Sequence, residues 1–251
     1  MMTIIRLYIK IFLFLQCTKQ VYSVKFPVIV TSIVIILTIL TSCRDNDFIG
    51  INEGEIHYGI TYGGPPGILP RELMPKTLVV SFKNDKILFD IFSPIGNTGI
   101  ANLANHEKKY YDTYVNMIGG RYYYAGSPDE IPPGLMLMEE MEIRKTGQKG
   151  QILGFNCVHA EVRLPSMPDS VFEIWYTDEI NIKKPNTATP FHEIDGVLLK
   201  FFFFMGEKEF IFEAEGIYRK EIPDKVFHRR ERYRKVSKDI INDYIIRMVN
   251  L

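Results

Sequence analysis

Polar and apolar residues alternate from Glu53 to Tyr62. That two-residue period predicts a strand with one face buried. Gly63-Gly64-Pro65-Pro66-Gly67 then breaks the chain. Two apolar runs, Thr77 to Phe82 and Lys86 to Ile91, flank Asn84-Asp85 and predict a hairpin. Asn97 to Lys108 is polar, with Ile100, Leu103 and Ala104 spaced as on a helical face; it reads as a loop or a short helix, with the loop preferred. Tyr110 to Met117 and Arg121 to Tyr124 read as strands joined at Gly119-Gly120. Ser127 to Gly134 is a proline-rich connection. Leu137 to Lys145 and Gln151 to Leu164 read as two strands turning at Gly147, and Val171 to Tyr176 alternates again. Val197 to Met205 and Glu209 to Tyr218 form a further pair around Gly206-Glu207-Lys208. The last segment, Ser237 to Val249, has helical spacing with Ser237 as N-cap. About ten strands with short turns and little helix argue for a mainly β fold, a single antiparallel sheet, curved or closed.

One strand breaks the alternation. Val197-Leu198-Leu199-Lys200-Phe201-Phe202-Phe203-Phe204-Met205 is apolar at both parities. A strand with one wet face would alternate, so both faces here must be covered. The cover is the protein itself or, in the sharper reading, an apolar ligand held against Phe201, Phe202, Phe203 and Phe204.

The N-terminal region follows other rules. Lys25 precedes an apolar run from Phe26 to Leu40, and Thr41-Ser42-Cys43 closes it with small residues. Positive flank, apolar middle and small-residue cleavage site are the order of a signal peptide. Leu40-Thr41-Ser42-Cys43 also resembles the lipobox of bacterial lipoproteins, whose cysteine carries the lipid. The competing reading is a retained transmembrane helix, for which this run is short against the roughly 20 residues a span needs. The expected organisation is a signal peptide over residues 1–42, a lipidated N-terminus with a tether over 43–52, and a single domain over 53–251. Cys43 is the expected lipid attachment site and a membrane the expected partner. Arg44-Asp45-Asn46-Asp47 is a solvated tether, or an acid-rich sorting signal resembling the surface-export signals of Bacteroidetes lipoproteins.

Charge narrows the partners. The chain holds 30 basic and 30 acidic side chains; the first 42 residues contain four basic and no acidic ones, so the remainder carries 26 against 30, about −4 net. That balance argues against wrapping nucleic acid, which needs a basic face. Of the three cysteines, cleavage removes Cys17 and lipidation consumes Cys43, so Cys157 has no partner for an intrachain disulfide and reads as a buried thiol.

Catalytic chemistry is not legible. The chain has no Gly-x-Ser-x-Gly elbow, no P-loop and no His-Glu-x-x-His pair. His57, His106, His159, His192 and His228 have no metal-ligand spacing. Asp178-Glu179 reads as a turn with Asp178 as a local cap, rather than as an acid–base pair. Lys225 to Lys235, with Arg229, Arg230, Arg232 and Arg234, reads as a solvated connection or as a surface for anionic headgroups. Tyr122, Tyr123 and Tyr124 read as strand faces. No catalytic residue, metal site or cofactor is expected.

Several segments in order resemble the GLPGLI / DUF4412 group of exported Bacteroidetes proteins: Gly54-Glu55-Ile56-His57-Tyr58, Gly147 to Cys157, Ile174 to Ile180, Ile194 to Leu199, and Ala214 to Phe227. The proline expected soon after Phe227 is replaced by His228-Arg229-Arg230. The resemblance implies a fold similar to the lipoprotein carriers of the Lol system, an antiparallel half-barrel whose concave face holds acyl chains. The expected function is therefore an envelope-anchored, non-enzymatic lipoprotein that binds lipid or another hydrophobic molecule. It would sit on the outer membrane, on the periplasmic side or the cell surface. The alternative is a module that docks a protein partner in an envelope complex.

Overall fold

The computed structural model describes residues 50–64, 70, 73–93 and 98–250. The leader and Cys43 lie outside the described residues. From Phe48 onward the chain forms one compact unit with its own core.

Among the described residues there are twelve strands: β1 (Glu53–Tyr62), β2 (Thr77–Lys83), β3 (Lys86–Phe92), β4 (Gly99–Asn105), β5 (Tyr110–Met117), β6 (Gly120–Ala125), β7 (Glu142–Ile152), β8 (Phe155–Leu164), β9 (Met167–Thr177), β10 (Val197–Met205), β11 (Lys208–Tyr218) and β12 (Arg234–Lys235). They form one sheet in the order β12-β6-β5-β4-β3-β2-β1-β11-β10-β9-β8-β7. Every pairing is antiparallel except the short β12–β6 contact. The sheet is not closed, and it curls. The helix α1 (Lys238–Val249) touches β5 and β6 on one side and β10 on the other, although five strands separate them in the sheet. A flat sheet cannot bring those strands to one helix; a half-barrel with the helix in its concavity does. Ile241 and Ile245 of α1 are fully buried there. Ser237 stands at the N-cap with extended backbone, but its side chain makes no cap hydrogen bond.

The concave face carries most of the core. Ile56 and Tyr58 of β1, Phe210 and Phe212 of β11, and Phe201 and Phe203 of β10 meet there. Tyr58 sets its ring edge-on to Phe201 at 5.4 Å and donates its hydroxyl to the Leu198 carbonyl at 2.7 Å. The convex face is dry at β3–β5. Leu88, Ala101, Leu103 and Tyr114 are roofed there by Ile222 and Phe227.

That roof explains the first departure from the sequence reading. Residues 99–105 are β4, neither loop nor helix. Ile100 and Ala104 point into the core while Ala101 and Leu103 meet the roof. With both faces buried, the polar–apolar alternation disappears.

The second departure is the turn between β7 and β8. It lies at Leu153-Gly154, both at positive φ (51° and 86°), and not at Gly147. Gly147 instead sits in a register shift between Lys145 and Lys149 within β7, a bulge of the kind glycine accommodates. Leu137, expected in this strand, belongs to a 3-10 turn at Met136–Met138. The third departure is β12, too short to leave a period.

Both faces of the phenylalanine strand are covered by the protein. All four phenylalanines are 5% exposed or less. Phe172 of β9 stacks on Phe202 at 4.7 Å, and Phe191, from the segment between β9 and β10, lies within 6.4 Å of the Phe201, Phe202 and Phe203 rings. β9 pairs with β10 only from Val197 to Lys200. Farther along, the Phe204 amide donates to the Met138 sulfur at 3.4 Å, so the 3-10 turn seals the edge that β9 leaves.

Candidate functional site: an apolar cavity at one end of the half-barrel

The two ends of the half-barrel differ. At one end, the segment between β9 and β10 forms a plug. Ile180, Ile182, Phe191 and Ile194 bury their side chains in the core. Asn186 is buried and donates to the Ile194 and Gly196 carbonyls at 2.6 and 2.9 Å, which ties the plug to the start of β10. Thr187 reaches His106, beyond the end of β4, at 3.3 Å, and Tyr111 holds the other nitrogen of that ring at 3.1 Å. Burial lowers the pKa of His106 below its ordinary value, which favours the neutral ring. The chain also enters the domain here: the Gly50 amide donates to the Glu179 carbonyl, and the Asn181 amide to that of Ile51.

The opposite end holds a cavity of about 300 Å³. Its walls come from strand termini gathered by the antiparallel order: Ile91 at the end of β3, Ile100 at the start of β4, Met117 at the end of β5, Met205 at the end of β10 and Phe210 at the start of β11. Met248 and Val249 close it from the last turn of α1, and Leu73 to Pro75 from the segment before β2. Tyr62 fixes that segment. Its hydroxyl donates to the Pro75 carbonyl while its ring meets Phe210 edge-on at 5.0 Å. Burial pushes the phenol's pKa well above the ordinary range, so it stays a donor.

The lining is apolar apart from a few polar groups at the rim. Lys208 and Arg247 are the charged residues among the described lining, and no carboxylate is among them. Lys208 donates to the Val249 carbonyl at 2.8 Å, which satisfies one orphan acceptor at the end of α1. Arg247 is paired with Asp243 at 2.9–3.0 Å on the helix surface. Ile118, in the β5–β6 turn, lines the mouth and is 86% exposed. Inward, Ile91, Ile100 and Met205 also border a second space of about 20 Å³ beneath Ile245 and Phe203.

The residues singled out from sequence fall in several places. Phe201 to Phe204 are core residues; their neighbours Met205 and Phe210 line the large cavity. Strand composition signals such apolar positions, but not which of them border empty space. Cys157 is buried, donates to the Phe155 carbonyl at 3.4 Å, and has its pKa raised by burial, the state of an inert thiol. In the Asp178-Glu179 pair it is Glu179 that caps, accepting from the Asn156 backbone and side chain at 3.0 and 2.6 Å. Tyr122 to Tyr124 lie in β6, with Tyr122 packed on Tyr244 of α1 at 4.7 Å.

Two residues of the basic run are anchored to the sheet, whereas Lys225, Arg232, Arg234 and Lys235 are exposed. Arg229 and Arg230 bind Asp112 and Asp90 on the convex face and stack near Tyr110 and Tyr114. Among the described residues, no three His, Cys, Asp or Glu side chains gather into a metal site. No helix among them is long and apolar enough to cross a membrane.

No protein-family profile matches the chain, and no curated protein matches it. Two solved structures of PNGF-II are similar in fold. One, in a P21 crystal form, aligns with TM-score 0.50 and 18% identity over 77% of this chain and 33% of that chain. The other, in a C2 form, gives TM-score 0.49 and 15% identity over 77% and 32%. The chain thus spans about a third of the length of those chains. LprF from Mycobacterium bovis aligns with TM-score 0.24 and 11% identity over 68% of this chain and 89% of that chain. At 18% identity the likeness to the P21 structure concerns the fold alone.

Proposed function

We propose that this protein is a non-enzymatic lipoprotein, anchored to the cell envelope through Cys43, that binds a lipid or another hydrophobic molecule in the cavity at the open end of its half-barrel. The observation that carries the reading is the cavity itself. Its volume lies at the lower end of ligand pockets, roughly 300–1,000 Å³, and its walls are apolar with a few polar groups at the rim, the usual constitution of such sites. The ordered segments that resemble the GLPGLI group, and the half-barrel they imply, support the same reading. The acyl chains on Cys43 would supply the anchor, at about 0.8 kcal/mol per buried CH₂.

The test is direct. The chain from Asp45 onward retains the whole compact unit. It is purified without detergent and examined by native mass spectrometry and by organic extraction. A co-purified hydrophobic species, lost when Ile100→Trp fills the cavity, is the expected result. A ligand-free protein that also fails to take up added lipid would remove the reading and leave a module that docks a protein partner.

A further inference from the structure

Among the described residues, the rim of the cavity carries charge of one sign. Lys208 and Arg247 stand at it, and no carboxylate is among the described lining residues. Their availability differs. Arg247 is already paired with Asp243 on the exposed side of α1, so it contributes a screened field and little else. Lys208 projects from the start of β11 and spends one contact on the Val249 carbonyl, at 2.8 Å. An ammonium group has three donors. Among the described residues the other two meet no acceptor, and they face a mouth whose wall is built from Met205, Phe210 and Met248. A cation at the lip of an apolar cavity matches a molecule with the inverse layout, an apolar chain ending in a negative charge. The volume of about 300 Å³ selects further, since it suits one chain rather than the paired chains of a two-tailed lipid.

Resting on the cavity reading above, we infer that the ligand is an anionic single-chain amphiphile of the fatty-acid class. Its carboxylate meets Lys208, and its chain lies along Ile91, Ile100, Met205 and Phe210. Lys208 holds the end of α1 in the free protein and both α1 and the ligand in the complex. The head group is thereby fixed at the mouth, and the chain direction follows.

The experiment titrates the chain from Asp45 onward with tetradecanoate, 1-tetradecanol and tetradecyltrimethylammonium by isothermal calorimetry, below their micelle concentrations. The expected order is tetradecanoate tightest, by about tenfold over the alcohol, the scale of one hydrogen bond to a charged group. Lys208→Met brings the acid down to the level of the alcohol. Ile118→Glu, which puts a carboxylate at the mouth on a side chain that is 86% exposed, weakens the acid more than the alcohol. Both variants are checked for an unchanged thermal melt. Equal binding of acid and alcohol by the unaltered protein overturns the head-group assignment and leaves the apolar cavity standing. Tighter binding of the ammonium overturns it by sign. Failure of all three chains to bind takes down the cavity reading together with the assignment.

Discussion

Arg229 grips Asp112 with two parallel hydrogen bonds, Nε to Oδ2 at 2.7 Å and NH2 to Oδ1 at 2.8 Å. The carboxylate is fully buried, whereas the guanidinium is about a third exposed and covers the Tyr110 ring at 4.4 Å. Tyr114 adds a third bond, donating its hydroxyl to Asp112 at 2.8 Å and accepting the Arg230 amide. This cluster fastens the roof segment across the convex face of β3–β5. Removing Arg229 leaves a charge without its partner in a dry place, a more serious loss than that of a surface ion pair. Arg229→Gln is expected to lower stability by about 2–4 kcal/mol in urea unfolding. Adding Asp112→Asn should recover part of that loss. A change below about 0.5 kcal/mol would show the clamp to be an ordinary surface pair.

Asp90, also under the roof, gives the fold a pH dependence. Burial raises its pKa to about 6, outweighing the attraction of Arg230, which bonds only one of its oxygens, at 2.8 Å. The other oxygen has no hydrogen-bond partner among the described residues. A carboxyl whose folded pKa exceeds its unfolded value binds its proton more tightly when folded. Its contribution is therefore fully present below about pH 4 and is lost as pH rises through about 6. Unfolding free energies at pH 4, 5, 6 and 7 should show wild type losing up to roughly 3 kcal/mol relative to Asp90→Asn across that window. Parallel curves for the two proteins would mean that Asp90 ionises normally.

The phenylalanine strand is a core element, and its variants should behave accordingly. Phe201 is 1% exposed and packs against Tyr58, Phe191, Phe203 and Phe212. Phe201→Ala is expected to cost about 3–5 kcal/mol and Phe201→Leu distinctly less. Ligand bound per folded molecule should stay the same in the leucine variant. Selective loss of ligand without loss of stability would return this strand to the binding surface.

The anchor is tested separately, in cells. Replacing Cys43 with Ala should abolish metabolic labelling with fatty acid and leave the protein unprocessed. Labelling that survives the substitution would assign the lipid elsewhere, or to no site at all.

How much of this was legible depends on which faces a strand exposes. β1, β2, β3, β5 and β6 were readable because alternation or a turn dipeptide such as Asn84-Asp85 marked them. β4 was not, because the roof dries its second face and erases the period. The β7–β8 turn was hidden because Leu153 supplies a left-handed residue that sequence assigns to Gly or Asn, while Gly147 advertised a turn and serves a bulge. Arg229 and Arg230 looked solvated because their partners lie more than a hundred residues earlier. The cavity is a property of packing among strand ends distant in sequence, and no local pattern encodes a space left unfilled.

The plug and the cavity lie at opposite ends of the same strands, and the polypeptide arrives at the plugged end through Gly50. Seven-residue strands such as β2 and β3 are roughly 25 Å long, which sets the distance between the two ends. The point where the chain enters the domain and the mouth of the cavity are thus held apart by the full length of the sheet. A guest can therefore enter or leave the mouth without disturbing the hydrogen bonds that tie Gly50 and Ile51 to the plug.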